Sequence, residues 1–270
     1  MSTTDSPLLL SREGPVASVQ LTQPAKLNAI DLRSASALLE MFRAVAADKT
    51  IRAVVLSGTG RAFMAGGDVS YFSSNSPTQR ADNAAALIDC LHDIIGLMVR
   101  FPVPILTLVH GAVAGAGLGL MLASDMTIAA ADTRFVFAYA DLGASPDGGL
   151  TWFLVRTIGV RRALHFASLH RQLDAAEALS LGLVQELVQS NELMTHGMQQ
   201  GLELSRLSQQ AFLQTRRLLL ASTGHTLPEQ LQAEREAFVR CALSDDFAEG
   251  TGAFLQRRRP QFTTRSHIDD

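Results

Sequence analysis

Gly115-Ala116-Gly117-Leu118-Gly119 sets three glycines in five residues between an apolar run, Ile105-Leu106-Thr107-Leu108-Val109, and a helical stretch that reaches Ala123. With one side bare of side chains, the backbone there can bring an amide close to a ligand. The first N–H groups of a helix lack intrahelical partners and carry partial positive charge, which suits an oxyanion. A second turn, Ala62-Phe63-Met64-Ala65-Gly66-Gly67-Asp68, follows another apolar run, Ala53-Val54-Val55-Leu56-Ser57-Gly58. Turns at adjacent strand ends can point at one atom. The same glycines also suit tight turns or close packing of helix on strand, and either segment alone allows both readings. Their spacing is not G-x-G-x-x-G, and no acid is suitably placed on a following strand, so a dinucleotide site is not expected.

The rest of the chain alternates strands with helices. Residues 16–21 alternate apolar with small or polar positions as a half-buried strand does, and residues 30–47 carry Leu32, Ala35, Leu39 and Phe42 on one helical face. Residues 53–58 and 105–109 are short apolar runs of the kind buried on both faces of a sheet. Residues 84–100 form an amphipathic helix that stops before Pro102 and Pro104, and residues 77–83 read as polar and mobile. Residues 126–130 and 134–137 are further strands. The order predicts an α/β fold with parallel strands and helical crossovers. From Leu173 onward the chain reads as wholly helical, with segments 175–181, 192–208 and 229–242. Residues 1–200 are therefore expected to form the core and residues 201–270 a C-terminal helical region.

Composition narrows the class. A 270-residue chain with 47% hydrophobic and 18% charged residues fits a packed enzyme better than a disordered or nucleic-acid-coating chain. A net charge of −3 gives no electrostatic reason to expect a nucleic-acid partner. Cys90 and Cys241 are too few for a disulfide framework and read as buried thiols of a cytoplasmic protein. Residues 1–7 lack the blocks of a signal peptide, and no apolar stretch reaches the ~18 residues of a membrane span. No cluster of His, Cys and carboxylates has metal-ligand spacing, so no metal is expected.

Several motifs in register carry a resemblance. Pro24-Ala25-Lys26-Leu27-Asn28-Ala29-Ile30, the turn ending in Asp68, residues 104–125 and residues 142–159 resemble, in order and spacing, the enoyl-CoA hydratase/isomerase (crotonase) family. Residues 249–262 resemble its C-terminal signature, so the likeness covers nearly the whole chain. It implies a spiral of strand-strand-helix turns with a C-terminal helical trimerisation region, a homotrimer or hexamer, and an acyl-CoA substrate. It implies no cofactor beyond the coenzyme A moiety of that substrate. The N–H groups of Gly67 and Ala116 would hold the thioester oxygen; Ala116 stands where the family often has glycine. Backbone atoms of Ala65, Gly66 and Asp68 would take the adenine. Phe254 and Arg257 are candidates for the pantetheine and phosphate region, against the plainer reading of a solvated basic helix end.

The resemblance also bears on the reaction. The family's hydratases use two glutamates, and those positions fall here on Gly119 and Tyr139, so the two-glutamate hydration is not expected. What remains is Asp147, in Ser145-Pro146-Asp147-Gly148-Gly149-Leu150-Thr151-Trp152. The family's double-bond isomerases, the 1,2-epoxyphenylacetyl-CoA isomerase subgroup among them, use an acid at this position to carry a proton between the alpha and gamma carbons. An isomerase is thus the favoured reading. The alternative for Asp147 is an N-cap of a helix over residues 150–156. A second reading resembles 4-chlorobenzoyl-CoA dehalogenase, with Asp147 as nucleophile and His92 activating water, although Leu91 and Tyr139 stand where that enzyme has tryptophans. A third is a crotonase homologue that binds acyl-CoA without turnover. Tyr139 reads as a lining residue, His110 and Trp152 as structural, and His165 and His170 as surface or interface residues. Residues 71–83 would form a lid that shapes the acyl pocket.

Overall fold

The computed structural model describes residues 6–74, 76–169 and 172–263, so His170 and the first five residues lie outside it. The chain opens with a hairpin, β1 (Leu8–Glu13) antiparallel to β2 (Val16–Leu21), with Leu8 opposite Leu21. Helix α1 (Leu32–Ala47) follows, started by Asp31: its carboxylate accepts from the Ser34 N–H while the Ser34 hydroxyl accepts from the Asp31 N–H. Then come β3 (Ala53–Gly58), β4 (Ala62–Met64), α2 (Pro77–Val99), β5 (Ile105–Val109), β6 (Ala112–Ala114), α3 (Ala116–Ala123), β7 (Met126–Ala130) and β8 (Arg134–Val136). The chain continues through α4 (Leu150–Ile158), α5 (Val160–Ser168), β9 (Gln172–Asp174), α6 (Ala175–Ser180) and β10 (Glu186–Val188). Helices α7 (Leu193–Ser205), α8 (Gln209–Ala221), α9 (Leu227–Ala242) and α10 (Asp245–Leu255) complete it.

A six-stranded sheet has the order β1-β2-β3-β5-β7-β10 and is parallel from β2 onward; a four-stranded sheet has the order β4-β6-β8-β9, with β9 antiparallel. Three central strands of the large sheet each hand on to one of the small sheet and then to a helix: β3-β4-α2, β5-β6-α3, β7-β8-α4. This repeat is the spiral of strand-strand-helix turns. Burial on both faces explains the unbroken apolar runs. Along β3, Val54 and Leu56 join the main core with Phe42, Ile94 and Met98, while Ala53 and Val55 turn to a second core beneath α7. Helix α7 lies close to that face because it presents glycines, and a Cβ on Gly197 would stand 2.3 Å from Leu108 Cδ1. It runs across residue 200 and ties the chain on either side to one sheet.

Three expectations are corrected. The chain beyond residue 172 is not wholly helical, since β9 joins the small sheet and β10 pairs in parallel with β7. Strands of three residues are too short to show a period of two. Residues 77–83, expected to lie before the helix, are the opening turns of α2, where the Ser76 hydroxyl accepts from the Gln79 N–H and Pro77 occupies the first turn. Their polarity reflects exposure. Cys90 and Cys241 are half-buried rather than buried. Among the described residues no helix is long and apolar enough to cross a membrane, and no group of three or more His, Cys, Asp or Glu is placed to hold a metal ion.

One ion pair fastens the C-terminal helices to the sheet. The Asp125 carboxylate accepts from the Ile105 N–H at 2.8 Å and from Arg216 Nη1 at 3.2 Å, and Arg216 also donates to the Phe101 carbonyl. Both side chains are nearly buried, and burial pushes the Asp125 carboxyl up despite the facing guanidinium. Replacing Arg216 with Met leaves a buried carboxylate unpaired. Urea unfolding is expected to show a loss of about 3–5 kcal/mol for Arg216→Met.

Candidate active site

The two glycine turns meet. At the first, the loop from β4 runs beside residues 27–30: Ala65 N–H donates to the Leu27 carbonyl, Ile30 N–H to the Gly66 carbonyl, and Asp68 N–H to the Ile30 carbonyl. Since backbone groups alternate in direction along an extended segment, these bonds turn the Gly67 N–H the other way, and it donates to no backbone carbonyl among the described residues. At the second, Gly115 has φ 50° and ψ −119°, a conformation that favours glycine, and it starts α3 with Ala116 as the first helical residue. The Ala116 N–H therefore has no carbonyl a turn earlier to bond.

Glycines allow the approach. A Cβ on Gly66 would stand 3.3 Å from the Ala114 carbonyl oxygen and 3.6 Å from the Gly115 Cα, and one on Gly117 would stand 2.7 Å from the Met64 carbonyl oxygen. Close packing, one of the two readings left open by the sequence, is what brings the two turns together.

Asn28 holds the first turn in place, a role that the sequence reading did not assign. Its side chain is buried, accepts from the Gln23 N–H at 2.9 Å and donates to the carbonyls of Thr59 and Ala62, each at 2.9 Å. Leu27 and Asn28 both lie in the left-handed region, with φ 53° and 55°. Asparagine tolerates that region better than most residues, so an asparagine after a proline turn was the available signal. At the rim, Lys26 Nζ donates to Asp68 Oδ2 at 2.8 Å; this contact holds the Asp68 carboxyl below its ordinary range and raises the Lys26 ammonium.

Asp147 lies on the loop before α4. Its side chain does not cap that helix: Gly149 is the N-cap residue, and only the Asp147 backbone carbonyl takes part, accepting from the Leu150 N–H. The carboxylate instead accepts from the Tyr139 hydroxyl at 2.8 Å. Gly148, with φ 57°, fits the loop between two helices: a Cβ there would meet Leu91 Cδ2 at 3.0 Å, and one on Gly119 would meet the Gly148 carbonyl oxygen at 3.1 Å. Thus the Asp147 loop packs against α3, the helix whose first N–H belongs to Ala116. Neither Gly119 on α3 nor Tyr139 after β8 offers a second carboxylate.

Burial raises the Asp147 carboxyl above its ordinary range; the Tyr139 bond, the charge of His92 and its own backbone N–H act in the opposite sense. His92 is exposed on α2, beside Leu91, and acts on Asp147 through charge; no hydrogen bond joins the two among the described residues. Tyr139 is buried, and its phenol is pushed well above its usual range by burial and by the adjoining carboxylate. A weak acid held in that way can both accept and return a proton.

Phe254 and Arg257 lie apart from this cluster, at the exposed end of α10, which packs on α9. Phe254 borders a cavity of about 510 Å³ with Cys241, Phe247 and Phe262. His110 Nε2 is 3.0 Å from the Gly60 carbonyl oxygen, consistent with a structural role, and His165 is exposed. Trp152 is half-exposed, with the Arg156 guanidinium 3.8 Å from its ring centroid.

Residues 11–265 match the sequence profile described as enoyl-CoA hydratase/isomerase. The chain is 32% identical over 252 residues to the 1,2-epoxyphenylacetyl-CoA isomerase of Escherichia coli K12, covering 93% of this chain and 96% of that one. It is 30% identical over 260 residues to the 2,3-dehydroadipyl-CoA hydratase of the same organism, covering 96% and 100%. Among solved structures, an enoyl-CoA hydratase from Polaromonas sp. JS666 superposes with a TM-score of 0.87 at 30% identity, over 95% of this chain and 99% of that one.

Removing the Asn28 bracket orphans one half-buried N–H and two carbonyls. Asn28→Ala is expected to cost about 3 kcal/mol in urea unfolding. Asn28→Asp keeps the shape but points an oxygen at the Thr59 and Ala62 carbonyls. Its folded-state pKa would then be raised, so stability should be lost as pH rises above the unfolded aspartate value of about 3.9, which unfolding measured from pH 3 to 7 checks.

Proposed function

The chain belongs to the enoyl-CoA hydratase/isomerase family, and on that premise we propose that this acyl-CoA enzyme is an isomerase that shifts a double bond with Asp147 as proton carrier. The observation that carries the reading is one acid, Asp147, on the loop packed against α3, with Gly119 and Tyr139 offering no other. The Gly67 and Ala116 amides bind the thioester oxygen and stabilise the enolate that forms when a proton leaves the alpha or gamma carbon. One such donor contributes on the order of 3 kcal/mol to the transition state. Asp147 takes the proton and returns it two carbons away, and its raised pKa suits both halves of that task.

Around this chemistry, the backbone of Ala65, Gly66 and Asp68 takes the adenine, while Phe254 and Arg257, set apart from Asp147 on the single chain, reach the pantetheine and phosphates only across an assembly of protomers. The reaction needs no cofactor beyond the coenzyme A of its substrate, and the protein works in the cytoplasm as a homotrimer or hexamer. Exposed apolar side chains on α8 to α10, among them Leu219, Leu227, Phe238 and Leu255, support assembly through the C-terminal helices. A second reading, hydrolysis of a haloaryl-CoA, is favoured by the charge of His92 acting on Asp147.

Incubation with 3-enoyl-CoA esters should yield the conjugated 2-enoyl thioester; no conversion across several chain lengths, aromatic acyl groups included, would sink the isomerase reading. Halide release from an aryl-CoA that stops in His92→Gln would favour the second reading instead.

For Asp147→Asn, turnover should fall about 10²- to 10⁴-fold. The folded-state carboxyl is raised above its ordinary value, so its contribution to stability is lost as pH rises past that value. At neutral pH the asparagine variant should therefore unfold at the same or a higher urea concentration than the parent. A stability loss parallel to the rate loss would count against a catalytic role.

A further inference from the structure

We propose that Tyr139 is a positioning residue for the proton carrier: its hydroxyl holds Asp147 Oδ1 so that Oδ2 exchanges the proton, and its ring shuts water out beside Gly115. The inference rests on the isomerase reading and deepens it by naming the group that aims the acid. Tyr139 is 7% exposed, and its hydroxyl donates to Asp147 Oδ1 at 2.8 Å. Its Cζ and hydroxyl oxygen lie 4.0 Å from where a Cβ on Gly115 would stand, so the ring bridges the amide turn and the carboxylate. Phe137 packs on that ring with centroids 5.5 Å apart, and Phe166 packs on Phe137 at 5.7 Å. The aromatic chain leaves the phenol little freedom to turn away.

Among the described residues, Tyr139 supplies the one side-chain hydrogen bond to Asp147. The other influences are the residue's own backbone N–H and the charge of His92 from α2, while α3 presents Gly119 and no titratable group. A carboxylate gripped by one oxygen has the other left for transfer. The step balances without a further reactant: in a 3-enoyl thioester an alpha C–H bond breaks, the proton passes to Oδ2, and the electron pair moves onto the thioester oxygen to give a dienolate. The pair then returns, and the O–H proton forms a C–H bond two carbons away. Tyr139 keeps its own proton throughout, since burial and the neighbouring carboxylate disfavour its ionised form.

The test uses the full chain with ¹³C-carboxyl-labelled aspartate, the Asp147 resonance being identified by its loss in Asp147→Asn. Removing a donor that favours the carboxylate raises its pKa, so Tyr139→Phe should move the Asp147 titration midpoint to higher pH. The acid limb of kcat/KM should move with it. With the acid misaimed, kcat should fall about 10- to 100-fold while KM stays near the parent value. A ring-fluorinated tyrosine, a stronger donor of nearly the same shape, should move the midpoint down and serves if the phenylalanine variant does not fold. An unmoved midpoint in the folded variant overturns the role of Tyr139, whatever happens to the rate. Absence of isomerisation by the parent protein overturns the reading of Asp147 instead, and the two failures are separately visible.

Discussion

Three hydrogen bonds from one buried amide, Asn28, govern where the main chain goes after the hairpin. They join the Gln23 N–H to the carbonyls of Thr59 and Ala62, so the loop before α1 and the connection from β3 to β4 become one piece. The ladder from Leu27 and Ile30 to Ala65, Gly66 and Asp68 then follows. That ladder turns the Gly67 N–H away from residues 27–30. An amide side chain suits this position because it offers an acceptor and two donors in one plane. No apolar residue could satisfy the same three backbone groups.

The second constraint is steric. Residues 64–66 and 114–117 lie so close that backbone faces backbone, with Gly66 against Ala114 and Gly115, and Gly117 against Met64. The same economy recurs where Gly119 meets Gly148 and where Gly148 lies under Leu91. Helices α2 and α3 thereby press the Asp147 loop from two sides. The acid is lifted above its ordinary pKa by the burial that results, and Tyr139 and His92 limit how far. Fold and reactivity are linked here through desolvation.

Much of the fold was legible in the sequence. Strands β3, β5 and β7 carry apolar runs stopped by glycine, proline or polar residues, and burial on two faces makes such runs continuous; β2 showed by alternation instead, although the structure buries it on both faces. Strands β4, β6, β9 and β10 have three residues each, too few for alternation, and depend on their neighbours for recognition. The opening of α2 misled because solvent-facing helix and loop share a polar composition, and only the Ser76 cap and Pro77 mark the start. At the site, glycines and Asp147 stood out as motifs. The bond from Tyr139 to Asp147 did not, because the intervening residues 140–146 must fold back before the two meet, and nothing in their composition states that they do. Asn28 was visible within a motif, but its three partners come from both sides of α1.

The Gly67 and Ala116 N–H groups, which donate to no backbone carbonyl among the described residues, form the grip proposed for the thioester oxygen. Codon changes replace side chains and leave N–H groups where they were, with proline as the exception. A grip made from main chain is therefore indifferent to most drift at its own positions and depends on the packing around it. Side chains at Gly119, Tyr139 and Asp147 have no such protection, since each is altered by a single substitution. In a lineage built on this scaffold, recognition of the thioester should persist while the chemistry performed on it diverges, and divergence should be concentrated at those few positions.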